Sequence, residues 1–485
     1  MKFSNWLSQR AVQKKDAIAL IFKSSPSQKV ERWTYAELEV EVNHWVERLQ
    51  ALGIKSGDRV GLLLPNHPRY IFIIHALTKC DAIAVFLNTR LTSKELDWQI
   101  EDSQVKHLLH EKIVFPHLAE KQSSHATLYN QVPVIDSEHI QGIFYTSGTT
   151  GKPKSVPLTY GNHYHSAIAS AERLEMQPDD NWLLCMPMFH VGGLAIAWRS
   201  VISGFCLTLL PKFDEQNVLE AIASERVTLI SLVPTMLERL LQDDQWQNLQ
   251  KLRGILLGGA PASLDLIERC LSLNLPIMPT YGMTETASQI TTLLPHEVSL
   301  KRGSSGSALS GMHLRVMDLE NVERELAIGE IGQIMVRGAN VMRGYLNQSQ
   351  NNYIQDNWLP TGDLGYLDGD RYLYLVSRRS DLIISGGENI YPSEIEAILS
   401  THPAIAEVCV VGMSDRDWGQ IVAAVVVLKA PFAEANLTVT DIRDFCEQQS
   451  LARYKLPKTI FIWKSLPKSA SDKILRQEIS DHINK

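Results

Sequence analysis

The chain has 485 residues, 45% of them hydrophobic and 21% charged, which is ample apolar material for the cores of about two to four lobes. Its 47 basic and 54 acidic residues give a net charge of −7, and no basic stripe is interleaved with aromatics, so nothing argues for a nucleic-acid partner. The six cysteines form no CxxC pair, no histidine cluster has zinc spacing, and the longest apolar runs, such as 421–428, are too short to span a bilayer.

The N-terminal stretch MKFSNWLSQRAVQKKDAIAL lacks the continuous apolar run of a signal peptide, and the expected setting is cytoplasmic. Residues 34–53 read as a helix, with Thr34 and Glu37 as a capping box and Gly53 as the stop. VGLLLP (60–65), AIAVFL (82–87), WLLCMPM (182–188), CLTLLP (206–211), VTLISLVP (227–234) and RGILLGG (253–259) read as strands, with helical patterns between several of them. That alternation is the signature of α/β layers with largely parallel strands. From about residue 313 the texture changes to short strands and Gly, Asp and Asn turns, which predicts a small β-rich subdomain. After the charged, glycine-rich joint at 377–392, the last hundred or so residues have the size and pattern of a small α+β domain. The expected division is a 1–379 domain followed by a 380–485 domain.

Between the predicted strands lie four unusual stretches. YTSGTTGKPKSV (145–156) carries Thr146, Ser147, Gly148, Thr149, Thr150, Lys152 and Lys154. Free N–H and O–H donors beside lysines form a nest for phosphate oxygens. It is not a Walker A loop, because only two residues separate Gly148 from Gly151 and Pro153 follows Lys152. Taken alone, the run fits a flexible Ser/Thr/Gly turn equally well. YGMTET (281–286) groups an aromatic (Tyr281), a hydroxyl (Thr284) and a carboxylate (Glu285) suited to magnesium. LLGGAPAS (256–263) ends a strand with Gly258 and Gly259, where a planar base can approach the backbone. TGDLG (361–365) sets Asp363 between glycines, where it can accept from ribose hydroxyls. In isolation, YGMTET and TGDLG read more simply as turns.

Together, in this order, and followed by RRSDLIISGGENIYP (378–392) and KSASDKILR (468–476), these stretches resemble the adenylate-forming superfamily. That superfamily comprises acyl-CoA synthetases, luciferases and peptide-synthetase adenylation domains, and the likeness runs over nearly the whole chain. The resemblance implies ATP, Mg²⁺ and coenzyme A as cofactors. A carboxylic acid would be converted to acyl-AMP, and a thiol would then displace AMP. It also implies the roles. Thr146, Ser147, Gly148, Thr149, Thr150 and Lys154 would cradle the β- and γ-phosphates. Thr284 would meet the α-phosphate and Glu285 the metal. Gly259, Ala260, Pro261, Tyr281 and Gly282 would surround adenine, and Asp363 and Arg378 would hold the ribose. Lys473 would be the catalytic lysine of a mobile C-terminal domain turning about Ser380, and Gly386–Gly387 would line the coenzyme A channel. Two departures, Ser155 where the family has Gly in PKGV and Asp472 where it has Gly in SGK, bear on rate rather than reaction class.

The acid is less directly written. MPMFHVGGLAIAWR (186–199) offers His190, Gly192 and Arg199, and LLGGAPAS offers Gly258, for an acyl pocket. No Asp lies between 183 and 200 to bind an amino-acid ammonium. Arg199 and Lys212 would suit a second, unreacted carboxylate, or both would face solvent. YGNHYHSAIASAERL (160–174), MPMFHVGGL and RRSDLIISGGENIYPSEIE resemble the 2-succinylbenzoate–CoA ligases of menaquinone or phylloquinone biosynthesis. The alternatives are another aryl- or medium-chain acyl-CoA synthetase and a non-catalytic adenylate-binding protein. Many relatives are dimers, but no motif here reports a homodimer.

Overall fold

A computed structural model describes residues 1–24, 30–114, 133–146, 153–321, 323–347, 357–385, 388–416, 418–432, 437–449, 451–468 and 474–484. The chain falls into two compact units, Met1–Leu314 with Val336–Leu359, and Arg315–Met335 with Pro360–Lys485.

The first unit is built on two large sheets, beside the two-stranded antiparallel pair Lys2–Ser4 and Val134–Asp136. The larger has nine strands, in the order Ser307–Ala308, Ser288–Thr292, Ile277–Met283, Gly254–Leu257, Leu229–Leu232, Asn181–Leu184, Cys206–Leu209, Ile18–Phe22 and Glu31–Thr34. From Ile277–Met283 through to Ile18–Phe22 every neighbouring pair is parallel, and the strands at both margins are antiparallel. Strands 181–184, 229–232 and 254–257 are buried along their whole length, as expected where a parallel sheet is covered on both faces. The second sheet runs His107–His110, Arg59–Leu63, Ile83–Phe86, Ile140–Thr146 and Lys154–Thr159, the last pair antiparallel. The α/β reading therefore holds, and each strand expected in this unit is present.

The helix expected at 34–53 runs Tyr35–Ala51. Its start is fixed reciprocally: the Thr34 hydroxyl accepts from the Glu37 N–H, and the Glu37 carboxylate accepts from the Thr34 N–H at 2.8 Å. Gly53, at φ +80°, ends it in a conformation that suits glycine. Leu38, Val42, Trp45, Val46 and Leu49 repeat at helical spacing and are buried, and the helix packs on Pro68–Lys79. Between these helices lies a charged core. Lys79 and Glu39 are paired with only 3% of either side chain exposed. Lys79 also donates to Asn43 Oδ1 at 2.7 Å, and Ser8 Oγ donates to Glu39 at 2.8 Å.

The second unit carries most of a four-stranded sheet, His313–Met317, Gly332–Arg337, Leu359–Leu367 and Leu373–Arg378, the division between units falling within its first three strands. The rest is an α+β block: Ile405–Asp415 pairs antiparallel with Gly419–Leu428, which pairs parallel with Thr459–Ile462. Helices Pro392–Ser400 and Val439–Gln448 place Ile395, Leu399, Ile442 and Cys446 in its core. Both the β-rich texture and the final α+β block match expectation.

Removing one partner of a buried ion pair strands the other charge, which typically costs about 3–5 kcal/mol. Lys79→Ala should lower the denaturant-unfolding free energy by about that amount, and the double change Lys79→Met with Glu39→Leu should cost clearly less. Equal losses in the two variants would mean that the stranded charge is not the cause.

Candidate active site

In a parallel sheet every strand points the same way, so the loops after the strands gather along one edge, where ligands of such sheets bind. Three of the singled-out stretches leave this edge. MPMFH follows strand 181–184, GGAP follows strand 254–257, and YGMTET closes strand 277–283. The last two are side by side: Leu257 pairs with Pro279, and a Cβ on Gly258 would lie 2.6 Å from Thr280 Cγ2. Gly259 has φ +78° and looks onto Val233, at the end of strand 229–232. Ala260 is half-buried and Pro261 exposed, so the GGAP backbone remains reachable.

Tyr281 is buried, Thr284 half-buried, and Thr284–Thr286 form a single tight turn. Glu285 is 6% exposed and its Oε1 accepts from the Tyr345 hydroxyl at 2.9 Å. The Met342 N–H donates to the Glu285 carbonyl at 2.7 Å, anchoring the segment that carries Tyr345. Lys154 Nζ lies 4.9 Å from the centre of the Tyr345 ring. The lysine of one motif, an aromatic from a distant segment and the carboxylate of a second motif thus form one line. One buried, oriented carboxylate is the protein donor that magnesium uses when it shares phosphate oxygens. Among the described residues no cluster of three or more His, Cys, Asp or Glu side chains forms a self-sufficient metal site. Tyr345 was not singled out from the sequence; its only signal there is an aromatic in MRGYL.

The run 145–156 begins and ends in paired strands, with Thr146 opposite Lys154 and Tyr145 opposite Ser155. Ser155, which stands where the family has glycine, is 5% exposed, and its carbonyl accepts from the Leu346 N–H at 3.0 Å. Ser147, Gly148, Thr149 and Thr150 lie outside the described residues, as do Gly386, Gly387, Asp472 and Lys473.

MPMFH is held by a residue that sequence reasoning did not select. Asn66 donates to the Met186 carbonyl at 2.8 Å and accepts from the Met188 N–H at 3.0 Å. Helix Val191–Ser203 begins immediately after, with His190 at its N-cap. A Cβ on Gly193 would stand 2.4 Å from the Pro187 carbonyl oxygen, so only glycine lets the first turn sit on that loop. Gly192 is under no such constraint, since a Cβ there would meet only Met186, at 3.8 Å. His190 is solvent-accessible, yet protein crowds its ring. That desolvation, with Arg90 adding, lowers its pKa to about 4, and the imidazole is neutral at pH 7.

Arg199, on the same helix, is 2% exposed. Its Nη2 donates to Ser288 Oγ at 3.2 Å, and the guanidinium lies 5.5 Å from the centre of the Trp182 ring. Its Nε is buried without a partner, and no carboxylate pairs with it among the described residues. Burial lowers its pKa to about 9, so it is still a cation at neutral pH. Lys212, in contrast, faces solvent.

On the second unit, TGDLG is not a hairpin turn. It lies inside strand Leu359–Leu367, where Asp363 pairs in register with Arg378, their side chains 3.4 Å apart. Ser380 is exposed in the short turn Arg379–Asp381.

The description "AMP-binding enzyme" matches residues 7–346, and "AMP-binding enzyme C-terminal domain" matches 394–473. The chain belongs to the AMP-binding enzyme family. Among its relatives, 2-succinylbenzoate–CoA ligase from Bacillus cytotoxicus is 42% identical over 98% of both chains. The Bacillus cereus ligase of the same name is 43% identical over 98% of this chain and 97% of its own. Among solved AMP-binding enzymes, o-succinylbenzoate CoA synthetase (MenE) from Bacillus subtilis, in complex with the acyl-adenylate intermediate OSB-AMP, superposes with a TM-score of 0.87 at 38% identity over 99% of both chains. ATP-bound MatB from Rhodopseudomonas palustris gives 0.88 at 27% identity, covering 100% of this chain and 99% of its own. The mixed α/β fold and the AMP-forming ligase class are those of this family.

Two interior histidines of this AMP-binding enzyme make stability depend on pH. His75 and His163 are buried, each with Nε2 unpartnered. Desolvation holds both near a pKa of about 3, aided by Lys79 at His75 and by Arg199 at His163. An unfolded imidazole takes up a proton near pH 6.5, whereas the folded one does not until about pH 3, so stability is lost as pH falls through that window. His163→Gln should flatten the fall in Tm between pH 7 and about 4.5. An unchanged slope would assign the acid lability elsewhere.

Proposed function

We propose that this chain is an ATP-dependent acid–CoA ligase that converts 2-succinylbenzoate, through 2-succinylbenzoyl-AMP, to 2-succinylbenzoyl-CoA, AMP and diphosphate in menaquinone or phylloquinone biosynthesis. The family and the named relatives support the reaction class. Arg199 carries the choice of acid: a buried cation with an unused donor and no carboxylate partner among the described residues fits the ring carboxylate of a dicarboxylic acid.

The first step brings together two anions, so cations and donors are needed where charge develops. In our reading, Lys154 and the donors of Thr146, Ser147, Gly148, Thr149 and Thr150 take the β- and γ-phosphates, and Thr284 takes the α-phosphate. Glu285, oriented by Tyr345, holds magnesium. When bound, magnesium offsets phosphate charge and stabilises the departing diphosphate. Gly259, Ala260, Pro261, Tyr281 and Gly282 enclose adenine, Gly192 and Gly258 border the acyl group, and Asp363 with Arg378 takes the ribose. The succinyl carboxylate oxygen attacks the α-phosphorus, and the bond to the β-phosphate oxygen breaks. Lys473 offsets charge at this centre. The C-terminal domain, from residue 380 onward, then turns about Ser380, and Gly386–Gly387 borders the path by which the coenzyme A thiol reaches the acyl carbon and expels AMP. Neutral His190 borders the acyl group. Among the described residues no helix is long and apolar enough to cross a membrane. Six free cysteines, four of them buried, support a cytoplasmic setting, and a homodimer is our expectation from relatives of this class.

Diphosphate release across a panel of acids tests the reading. 2-Succinylbenzoate should exceed benzoate, hydroxycinnamates and fatty acids by orders of magnitude in kcat/KM. Turnover of another acid in its place would remove the substrate assignment and leave the reaction class intact. Lys473→Ala should slow adenylation by about 10²–10³-fold or more while largely keeping thioester formation from supplied acyl-AMP. Equal loss in both half-reactions would contradict the turning domain.

A further inference from the structure

The turn that follows YGMTE holds an unusual backbone. Ala287 has φ 50° and Ser288 φ 108°, two successive non-glycine residues in the left-handed half of conformational space. Such a pair persists only where the surroundings impose it, and here they do. Asn340, 3% exposed, donates to the carbonyls of Thr286 at 3.0 Å and Gln289 at 3.3 Å. Ser166 Oγ donates to the Ala287 carbonyl at 2.7 Å, and Thr286 Oγ1 to the Ser288 carbonyl at 3.2 Å. A Cβ on Gly282 would lie 1.8 Å from the Ser288 carbonyl oxygen, so a glycine in YGMTET is what lets Ser288 come so close. All this constraint delivers one polar group, Ser288 Oγ, to Arg199 Nη2. It is the one hydrogen bond recorded for that guanidinium among the described residues.

We infer that Ser288 is a positioning residue for acid selection: it fixes the Arg199 guanidinium so that the remaining donors face a carboxylate. This rests on the reading of Arg199 given above. A guanidinium presents its donors in a rigid plane, so fixing one nitrogen fixes the direction of the rest. The same turn is continuous with Thr284 and Glu285, so the adenylate motif and the acid-selecting cation share one rigid piece of backbone.

The test compares 2-succinylbenzoate with 4-oxo-4-phenylbutanoate, the same acid without the ring carboxylate, in wild type, Ser288→Ala, Ser288→Gly, Arg199→Ala and Arg199→Ala/Ser288→Ala, with Tm measured for each. Ser288→Ala keeps the strained backbone and Ser288→Gly relieves it; both remove the hydroxyl. Both should cut the preference for the dicarboxylate over the monocarboxylate about tenfold, mainly through the KM for the dicarboxylate. Ser288→Ala should add nothing in the Arg199→Ala background. Equal loss for both acids, or preference retained in Ser288→Gly, would overturn the inference. If Arg199→Ala loses the preference and Ser288→Ala keeps it, only the role of Ser288 falls. If Arg199→Ala keeps the preference, the reading of Arg199 falls first and that of Ser288 with it.

Discussion

A guanidinium sealed in the interior, with no carboxylate partner among the described residues, is the constraint around which the first unit is arranged. Burying an ion is costly unless it is paired and hydrogen-bonded. Arg199 is 2% exposed, and among the described residues it has one hydroxyl partner and one aromatic face and leaves its Nε unused. In our proposal it is a half-built ion pair whose other half arrives with the substrate. The surrounding sequence follows from keeping it in place. Gly193 lets helix Val191–Ser203 settle onto the Pro187 carbonyl, Asn66 pins the loop before it, and Trp182 supplies a π face.

The sheet supplies the second requirement. An acid and a nucleotide must be held together although both are anionic. Parallel strands deliver their following loops to one edge, so MPMFH, GGAP and YGMTET converge without any long excursion of chain. The buried strands need only be apolar, and the chemistry is left to the loops. Tyr345 then links the motifs electrostatically, with its hydroxyl on Glu285 and its ring beside Lys154.

What could be read from the sequence was local. The capping box at Thr34 and Glu37, the parallel-strand alternation and the order of the glycine- and hydroxyl-rich stretches each lie within a few consecutive residues, and the structure contains them. The partners that position those stretches could not be read, because each acts across a long separation. Tyr345 meets Glu285 sixty residues away, Asn66 meets Met186 at a separation of 120, and Arg199 meets Ser288 at 89. A lone Tyr, Asn or Ser has no periodicity to betray it. TGDLG shows the reverse failure. Its two glycines suggest a turn, but cross-strand pairing of Asp363 with Arg378 keeps it within strand Leu359–Leu367. Arg199 and Lys212 look alike in sequence, and only packing separates the buried cation from the solvated one.

The most direct measurement is a crystal structure of this chain with 2-succinylbenzoyl-AMP. The ring carboxylate should lie within hydrogen-bonding distance of the Arg199 guanidinium, with Ser288 Oγ still on Nη2. A ring carboxylate facing solvent or another cation, with Arg199 left as it is here, would contradict it.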